Sequence, residues 1–448
     1  MAFGDNIVFR PPPKEFFAHF ERGTKAMEEG RIEEANKEFK RACHLSPEAW
    51  IGVGCECLKK NETELARGRF QEAADASKHI PTVHAMALNN LGMLMANGGE
   101  RDKSGPLFER AIQLFPKYAD AHGNMSLVWK WREELDRAMY HADLCLKYNP
   151  WHGQGEFTRA LILLTQGNFR DGWPAYESRW RNLGANIRKL EVPFPEWDGT
   201  NAKPGDSIFL YAEQGMGDTI QMLRYIPRLL ASGLRPTIAV QQPLISLVKS
   251  TGWFVEVHGM GSVVERAKLQ LPLFSLPRVL GTWTEADIPT SPAYLKAPKP
   301  KDWGPGYHVG IVWRGSKEHK NNLWRTSKLA EWRPVLSQTK ATFHQLQVGD
   351  GLEELDEFPQ VVRHSLPADM LETANRMAGM NLIISIDTST VHLASALGVP
   401  CWMLTPRGPD FRWQTKREDS PWYPGLKLFR QTKELDWSDV MDRMAALL

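Results

Sequence analysis

The sequence has no surplus of either charge: 55 Lys and Arg stand against 53 Asp and Glu, a formal net charge of +2. A chain so balanced over 448 residues carries no electrostatic footprint for nucleic acid or anionic membrane. It has no apolar run of eighteen residues, and its start, MAFGDNIVFRPPP, lacks the charged and apolar regions of a secretory leader. A cytoplasmic protein without an integral membrane segment is the expectation. The few cysteines (Cys43, Cys55, Cys57, Cys145, Cys401) are odd in number and lack C-x-x-C spacing, which argues against a disulfide framework and a structural zinc site. Also missing are G-x-x-x-x-G-K-[ST], a complete G-x-G-x-x-G, a G-x-S-x-G elbow and H-E-x-x-H. No D-x-D pair occurs, so neither a carboxylate-held metal on a diphosphate nor another cofactor is expected. Apolar residues at 42% and charged residues at 24% fit a globular chain of about three domains. Trp is plentiful, at 17 residues.

The first part of the chain repeats. Gly23, Ala35, Phe39, Ala42 and Pro47 share their spacing with Gly92, Ser104, Phe108, Ala111 and Pro116, and Trp50, Gly54, Ala66, Phe70 and Ala73 keep the same register. Trp129, Ala138, Ala142 and Pro150 follow, with a degenerate copy through Gly167, Tyr176 and Trp180. Small residues at helix contacts, an aromatic knob and a terminating proline resemble the tetratricopeptide repeat, in four to five copies over 16–182. Stacked repeats bury a shared core and leave a concave groove suited to a protein partner, or serve only as support. Tyr140, Tyr176, Lys130, Arg132 and Arg137 are candidates to line that groove.

Helical periodicity stops near residue 183, and 183–204 reads as a Pro- and Gly-rich linker. Apolar strand patterns then alternate with helices: SIFLYA (207–212), PTIAV (236–240), HVGIVW (308–313), TFHQLQ (342–347), LIISI (382–386) and PCWML (400–404). The helical patterns lie at 218–232, 329–337, 367–379 and 388–397. This alternation predicts α/β architecture with parallel sheets, in two Rossmann-like lobes at 205–298 and 307–448. Ligands in such sheets bind outside the carboxyl ends of the strands.

Two strand-to-helix junctions carry chemistry. In EQGMGD (213–218), Gly215 and Gly217 permit a tight turn and close backbone approach, and Asp218 is either a helix cap or a general base. In DTSTVH (387–392), Asp387, Thr388, Ser389 and Thr390 open a helix whose free N–H groups suit an anion. His392 stands one turn in, as a ligand contact or as packed core. A basic loop with Arg314, Lys317, His319, Lys320 and Arg325 follows HVGIVW and offers positive charge to phosphates. Trp313 and Trp324 flank it, where a ring can stack on a sugar or base.

Together, EQGMGDTIQMLRY, GIVWRGSKEHKNN and IISIDTSTVHLASALGVPCWMLTP with DFRW and REDSPWYP resemble bacterial tetratricopeptide proteins with a C-terminal glycosyltransferase. That catalytic part is similar to the heptosyltransferases of glycosyltransferase family 9 and, more distantly, to protein O-GlcNAc transferases. The resemblance implies a GT-B-like fold and metal-independent, inverting transfer from a nucleotide-sugar, which is a co-substrate. It implies Asp218 as catalytic base, with Gln214, Gly215 and Gly217 in the acceptor-side loop. It places Arg325, Asp387, Thr388, Ser389 and His392 at the donor phosphates and nucleotide, and Gln345 and Gln347, more loosely, at nucleoside and donor; Trp313, Arg314 and Thr390 are candidates there by their position in the same loop and turn. The sequence departs from the family at Asn322–Thr326, where Asn-Asp-x-x-Arg-Ser is usual, and at Lys268, where an acidic residue is common. Both departures bear on donor or acceptor identity. The acceptor suggested is a protein held by the repeats, such as a bacterial surface or flagellar protein. A lipid-linked or polysaccharide glycan, or an inactive protein-binding adaptor, are the alternatives.

Overall fold

The computed structural model describes residues 11–182, 187, 189–262, 264, 266–291 and 293–448, so residues 183–186 and 188 of the expected linker lie outside the described residues. The chain forms two compact units that divide in sequence between Arg159 and Ala160. No helix among the described residues is long and apolar enough to cross a membrane.

The first unit is helical. It contains α1 (Lys14–Glu28), α2 (Ile32–Leu45), α3 (Pro47–Lys59), α4 (Thr63–Ala76), α5 (Pro81–Asn97), α6 (Arg101–Leu114), α7 (Ala119–Trp131) and α8 (Leu135–Tyr148). A ninth helix, α9 (Gly153–Thr165), spans the division, and α10 (Phe169–Tyr176) belongs to the second unit. The repeated Gly and Phe make one contact. A Cβ at Gly23, Gly54 or Gly92 would come within 2.6, 2.5 or 2.7 Å of the ring of Phe39, Phe70 or Phe108. Only glycine lets those rings close the helix pairs. Gly30, Asn61, Gly99, Glu133 and Gly167 all adopt positive φ, each two residues before the second helix of its pair. Helical repeats thus run through five equivalent turns.

The second unit carries two wholly parallel sheets. The first has order β3-β2-β1-β4, from β1 (Ser207–Tyr211), β2 (Arg235–Val240), β3 (Glu256–Gly259) and β4 (Leu269–Pro272). The second has order β6-β5-β7-β8-β9, from β5 (Tyr307–Val312), β6 (Ala341–Gln345), β7 (Leu382–Ile386), β8 (Cys401–Thr405) and β9 (Leu426–Arg430). Strand order reverses beside β1 in one sheet and between β5 and β7 in the other, the switch points where α/β sheets open a crevice.

Several expectations change here. β3 (EVHG), β4 (LQLP) and β9 (LKLFR) were not among the expected strands: each interrupts its apolar residues with charged or polar ones and so lacks an apolar run. The helix expected over 218–232 is three short pieces: α11 (Met216–Met222), a 3₁₀ turn (Leu223–Tyr225) and Ile226–Ala231. Trp313 and Trp324 are buried, and Trp313 packs in the core with Trp332, Leu329 and Ile384. Neither ring is placed to stack on a ligand. Tyr176 does not line a repeat groove: it is buried in the second unit against Phe274 and Phe411.

Candidate functional site

The switch-point strands β1 and β7 each run into a helix, and the two helices pack directly on one another. One is α11 and the other is Ser389–Ala396. Gly217 lies inside α11, and a Cβ there would sit 2.6 Å from His392 Cδ2. Of the two roles expected of it, Gly217 serves close approach, since its place inside the helix leaves no tight turn there. Gly215, at the N-cap before it, is extended, with φ −70° and ψ 169°. Gln214 turns inward, its Oε1 accepting from Tyr176 Oη at 3.2 Å and its carbonyl from Gln241 at 2.7 Å.

Asp218 occupies the first turn of α11, where its Oδ2 accepts the Gly215 N–H at 2.8 Å. Its Oδ1 pairs with Arg412 Nη2. Both oxygens are thus committed, one to the cap and one to an ion pair. Arg412 comes from the loop after β8 and also binds Asp410 Oδ1 at 2.6 Å and Gln221 Oε1. Burial raises the Asp218 carboxyl above its ordinary range, the Arg412 guanidinium opposes this, and Asp410 adds to it.

At the other junction, Asp387 Oδ2 accepts from Trp413 Nε1 at 2.9 Å, and its carbonyl accepts from Arg325 Nη1 at 2.6 Å. Burial pushes the Asp387 carboxyl up to about 6, with Asp410 adding to the rise and Arg325 opposing it. Thr388 caps the Ser389–Ala396 helix with extended backbone, and Ser389 and Thr390 form its half-buried first turn. Arg325 crosses Gly315, where a Cβ would lie 2.7 Å from its Nη2, and so reaches the gap between the ends of β5 and β7. Its Nε is buried and makes no hydrogen bond among the described residues. A cation without a full set of partners beside a helix N-terminus is able to take a phosphate.

Among the other basic residues of the loop, His319 lies within electrostatic reach of Arg325 and Arg412, whereas Arg314 and Lys317 are held elsewhere. Arg314 pairs with Glu354 and lies against Gly351, and Lys317 pairs with Asp350 at 2.8 Å. Gln345 and Gln347, expected at nucleoside and donor, are buried and spent on backbone. Gln347 Oε1 accepts from Trp313 N at 3.1 Å and Arg314 N at 2.9 Å, while Gln345 Oε1 accepts from His364 N at 3.0 Å. Both stiffen the end of β6 and leave no group for a ligand.

With this geometry, the chain was compared with known proteins. No protein-family model matches it. Over 403 residues it is 27% identical to Protein FlbA of Caulobacter vibrioides (strain ATCC 19089 / CIP 103742 / CB 15), covering 81% of this chain and 67% of FlbA. Among solved structures, a Thermobaculum terrenum O-GlcNAc transferase mutant aligns over 98% of this chain and 91% of its own, at 12% identity and a TM-score of 0.32. The tetratricopeptide protein YrrB aligns over 39% of this chain and 88% of its own, at 16% identity and a TM-score of 0.26.

Sequence reasoning overlooked Arg412 as a site residue. Its signal was an arginine between two aromatics in DFRW, just past a buried strand. It also passed over Glu213, whose Oε1 accepts from Arg179 at 3.2 Å and from Phe274 N at 3.3 Å. Burial pushes that carboxyl up to about 7, against the pull of Arg179. Among the described residues, no group of three or more His, Cys, Asp or Glu side chains has metal-binding geometry.

Proposed function

We propose that the chain is an inverting glycosyltransferase of GT-B-like architecture, in which a nucleotide-sugar donor sits at the ends of β5 and β7. The observation that carries this reading is Arg325, incompletely partnered and lodged beside the first turn of the Ser389–Ala396 helix at a switch point. Arg325 and the helix N–H groups would hold the donor phosphates and stabilise the departing charge. The facing helix, α11, borders the space where an acceptor hydroxyl would approach the anomeric carbon. Two groups there are able to accept a proton, Asp218 and His392. The acceptor is a protein bound by the helical repeats.

The test has two arms. Thermal shift with UDP, GDP, ADP and CMP should show stabilisation by at least one, and Arg325→Ala should abolish it. Intact-mass analysis of surface proteins co-expressed with the chain should show addition of a glycosyl unit. Stabilisation without any mass shift would redirect the acceptor to a glycan. Silence in both arms would leave a protein-binding adaptor.

A further inference from the structure

Arg179 is a fully buried cation in the 3₁₀ turn Glu177–Trp180 that follows α10, inside the second unit. Its Nη1 donates to Glu177 Oε1 at 2.9 Å, and its Nη2 to Glu213 Oε1 at 3.2 Å and Ser275 Oγ at 2.8 Å. The guanidinium thus ties its own turn to the loop after β1 and the turn after β4, 34 and 96 positions away. A charge taken out of water needs close, well-formed partners, so the three segments hold one arrangement. Glu213 is as buried as its partner. Its Oε1 also accepts from Phe274 N at 3.3 Å, and its Oε2 makes no hydrogen bond among the described residues. The next residue is held from the same side, where Tyr176 Oη donates to Gln214 Oε1. Across the peptide bond that follows, the Gln214 carbonyl accepts from Gln241, and the Gly215 N–H donates to Asp218 Oδ2. That bond is planar, so fixing the oxygen end fixes the N–H that orients the Asp218 carboxylate.

We infer that Arg179 is a positioning residue for transfer: through Glu213 it fixes the EQGMGD loop, and with it the Asp218 carboxylate, against the segment that ends the repeats. The role rests on the glycosyl-transfer reading above. The stretch 169–180, expected only to close the repeats, then serves the loop that carries Gly217 and Asp218. None of its contacts involves Arg325 or the Ser389–Ala396 helix, so the effect falls on turnover and not on donor binding. Only an ionised Glu213 answers the Arg179 charge. Burial pushes that carboxyl up to about 7, Arg179 opposes the rise, and Asp218 and Glu177 add to it. The other groups facing the pair are Arg278, 3.6 Å from Glu177, and the Tyr211 hydroxyl on β1. As pH falls through about 7, Glu213 takes a proton, the ion pair is lost and the loop loosens.

The test is transfer kinetics on the full chain, well below its unfolding temperature. Arg179→Lys keeps the charge but has one nitrogen, which cannot hold Glu213, Glu177 and Ser275 together. Its kcat should fall about 10- to 100-fold, with KM for the donor and the nucleotide thermal shift unchanged. Glu213→Gln is nearly isosteric, keeps an oxygen for Arg179 to reach, and carries the test if the lysine variant does not fold. In the unmodified chain kcat should drop about 10-fold as pH falls through about 7, beyond the loss from titrating the base. Glu213→Gln should stay on the lower level across that range. A purely structural pair would lower stability and leave kcat and its pH profile as in the unmodified chain, which would overturn the inference. Loss of nucleotide stabilisation in place of turnover would overturn it too. If the unmodified chain transfers no sugar, the glycosyl-transfer reading falls and the positioning role falls with it.

Discussion

Arg412→Ala isolates the electrostatics of the site. The Arg412 side chain is 7% exposed, and its three nitrogens bind Asp218, Asp410 and Gln221. Truncation strands Asp218, whose side chain is 25% exposed, and the buried Gln221. Removing one partner of a buried pair costs about 3–5 kcal/mol. Partial exposure of Asp218 puts its share near the lower end, and losing the Gln221 contact adds about 1 kcal/mol. A loss of about 3–4 kcal/mol is therefore expected at pH 8.

The loss should depend on pH with a definite sign. Burial already raises the Asp218 carboxyl above 3.8, and without Arg412 it rises further. An acid whose pKa is higher in the folded state binds its proton more tightly there. The penalty of the variant is then complete above the folded pKa and disappears as pH falls towards the unfolded value. The assay is urea unfolding followed by tryptophan emission at several pH values, since 13 of the 17 Trp lie in the second unit. A double-mutant cycle with Asp218→Asn should recover most of the coupling. A destabilisation below about 1 kcal/mol, or one that does not lessen as the solution is acidified, would refute the assignment of Arg412 as the counter-charge of Asp218.

Three further outcomes follow from packing and charge. Gly217→Ala drives a methyl into the His392 ring and should destabilise the second unit by about 1–3 kcal/mol, with loss of transfer, by thermal unfolding and activity assay. Gly92→Ala meets the Phe108 ring in the same way. It should lower the stability of the first unit by a similar 1–3 kcal/mol, read by circular dichroism, and leave nucleotide stabilisation unchanged. Hydrogen bonds from His19, Arg22 and Arg41 hold the Glu38 carboxyl down at about 2. Its folded pKa is depressed, so its stabilising contribution is present above about 4.5 and lost as pH falls towards 2; Glu38→Gln should flatten that part of the acid-unfolding curve.

The repeats and the parallel-sheet regions were legible because their signals are local. A glycine, a phenylalanine sixteen residues on and a turn are one packing event written several times, as Gly23–Phe39, Gly54–Phe70 and Gly92–Phe108 show. Buried central strands such as β7 read as nearly continuous apolar runs, since both faces are covered. β3 lacked that signal because it is a short, incompletely buried edge strand. Trp313 misled for a related reason: position beside a basic loop said nothing about which way the ring turned, and it turned into the core.

The site was legible only in part, because its decisive relations join residues far apart in sequence. DFRW and GMGD are each unremarkable alone, yet Arg412 and Asp218 meet across 194 positions and change what Asp218 is able to do. A carboxylate judged alone is a base; one that caps a helix and neutralises a guanidinium is first a strut between two sheets. The same holds for His392. Its place one turn into a helix suggests a phosphate contact, but its Nδ1 lies 2.6 Å from the hydroxyl of Tyr423, 31 positions further along. The motif specifies the residue, and the partners packed against it specify what that residue is left free to do.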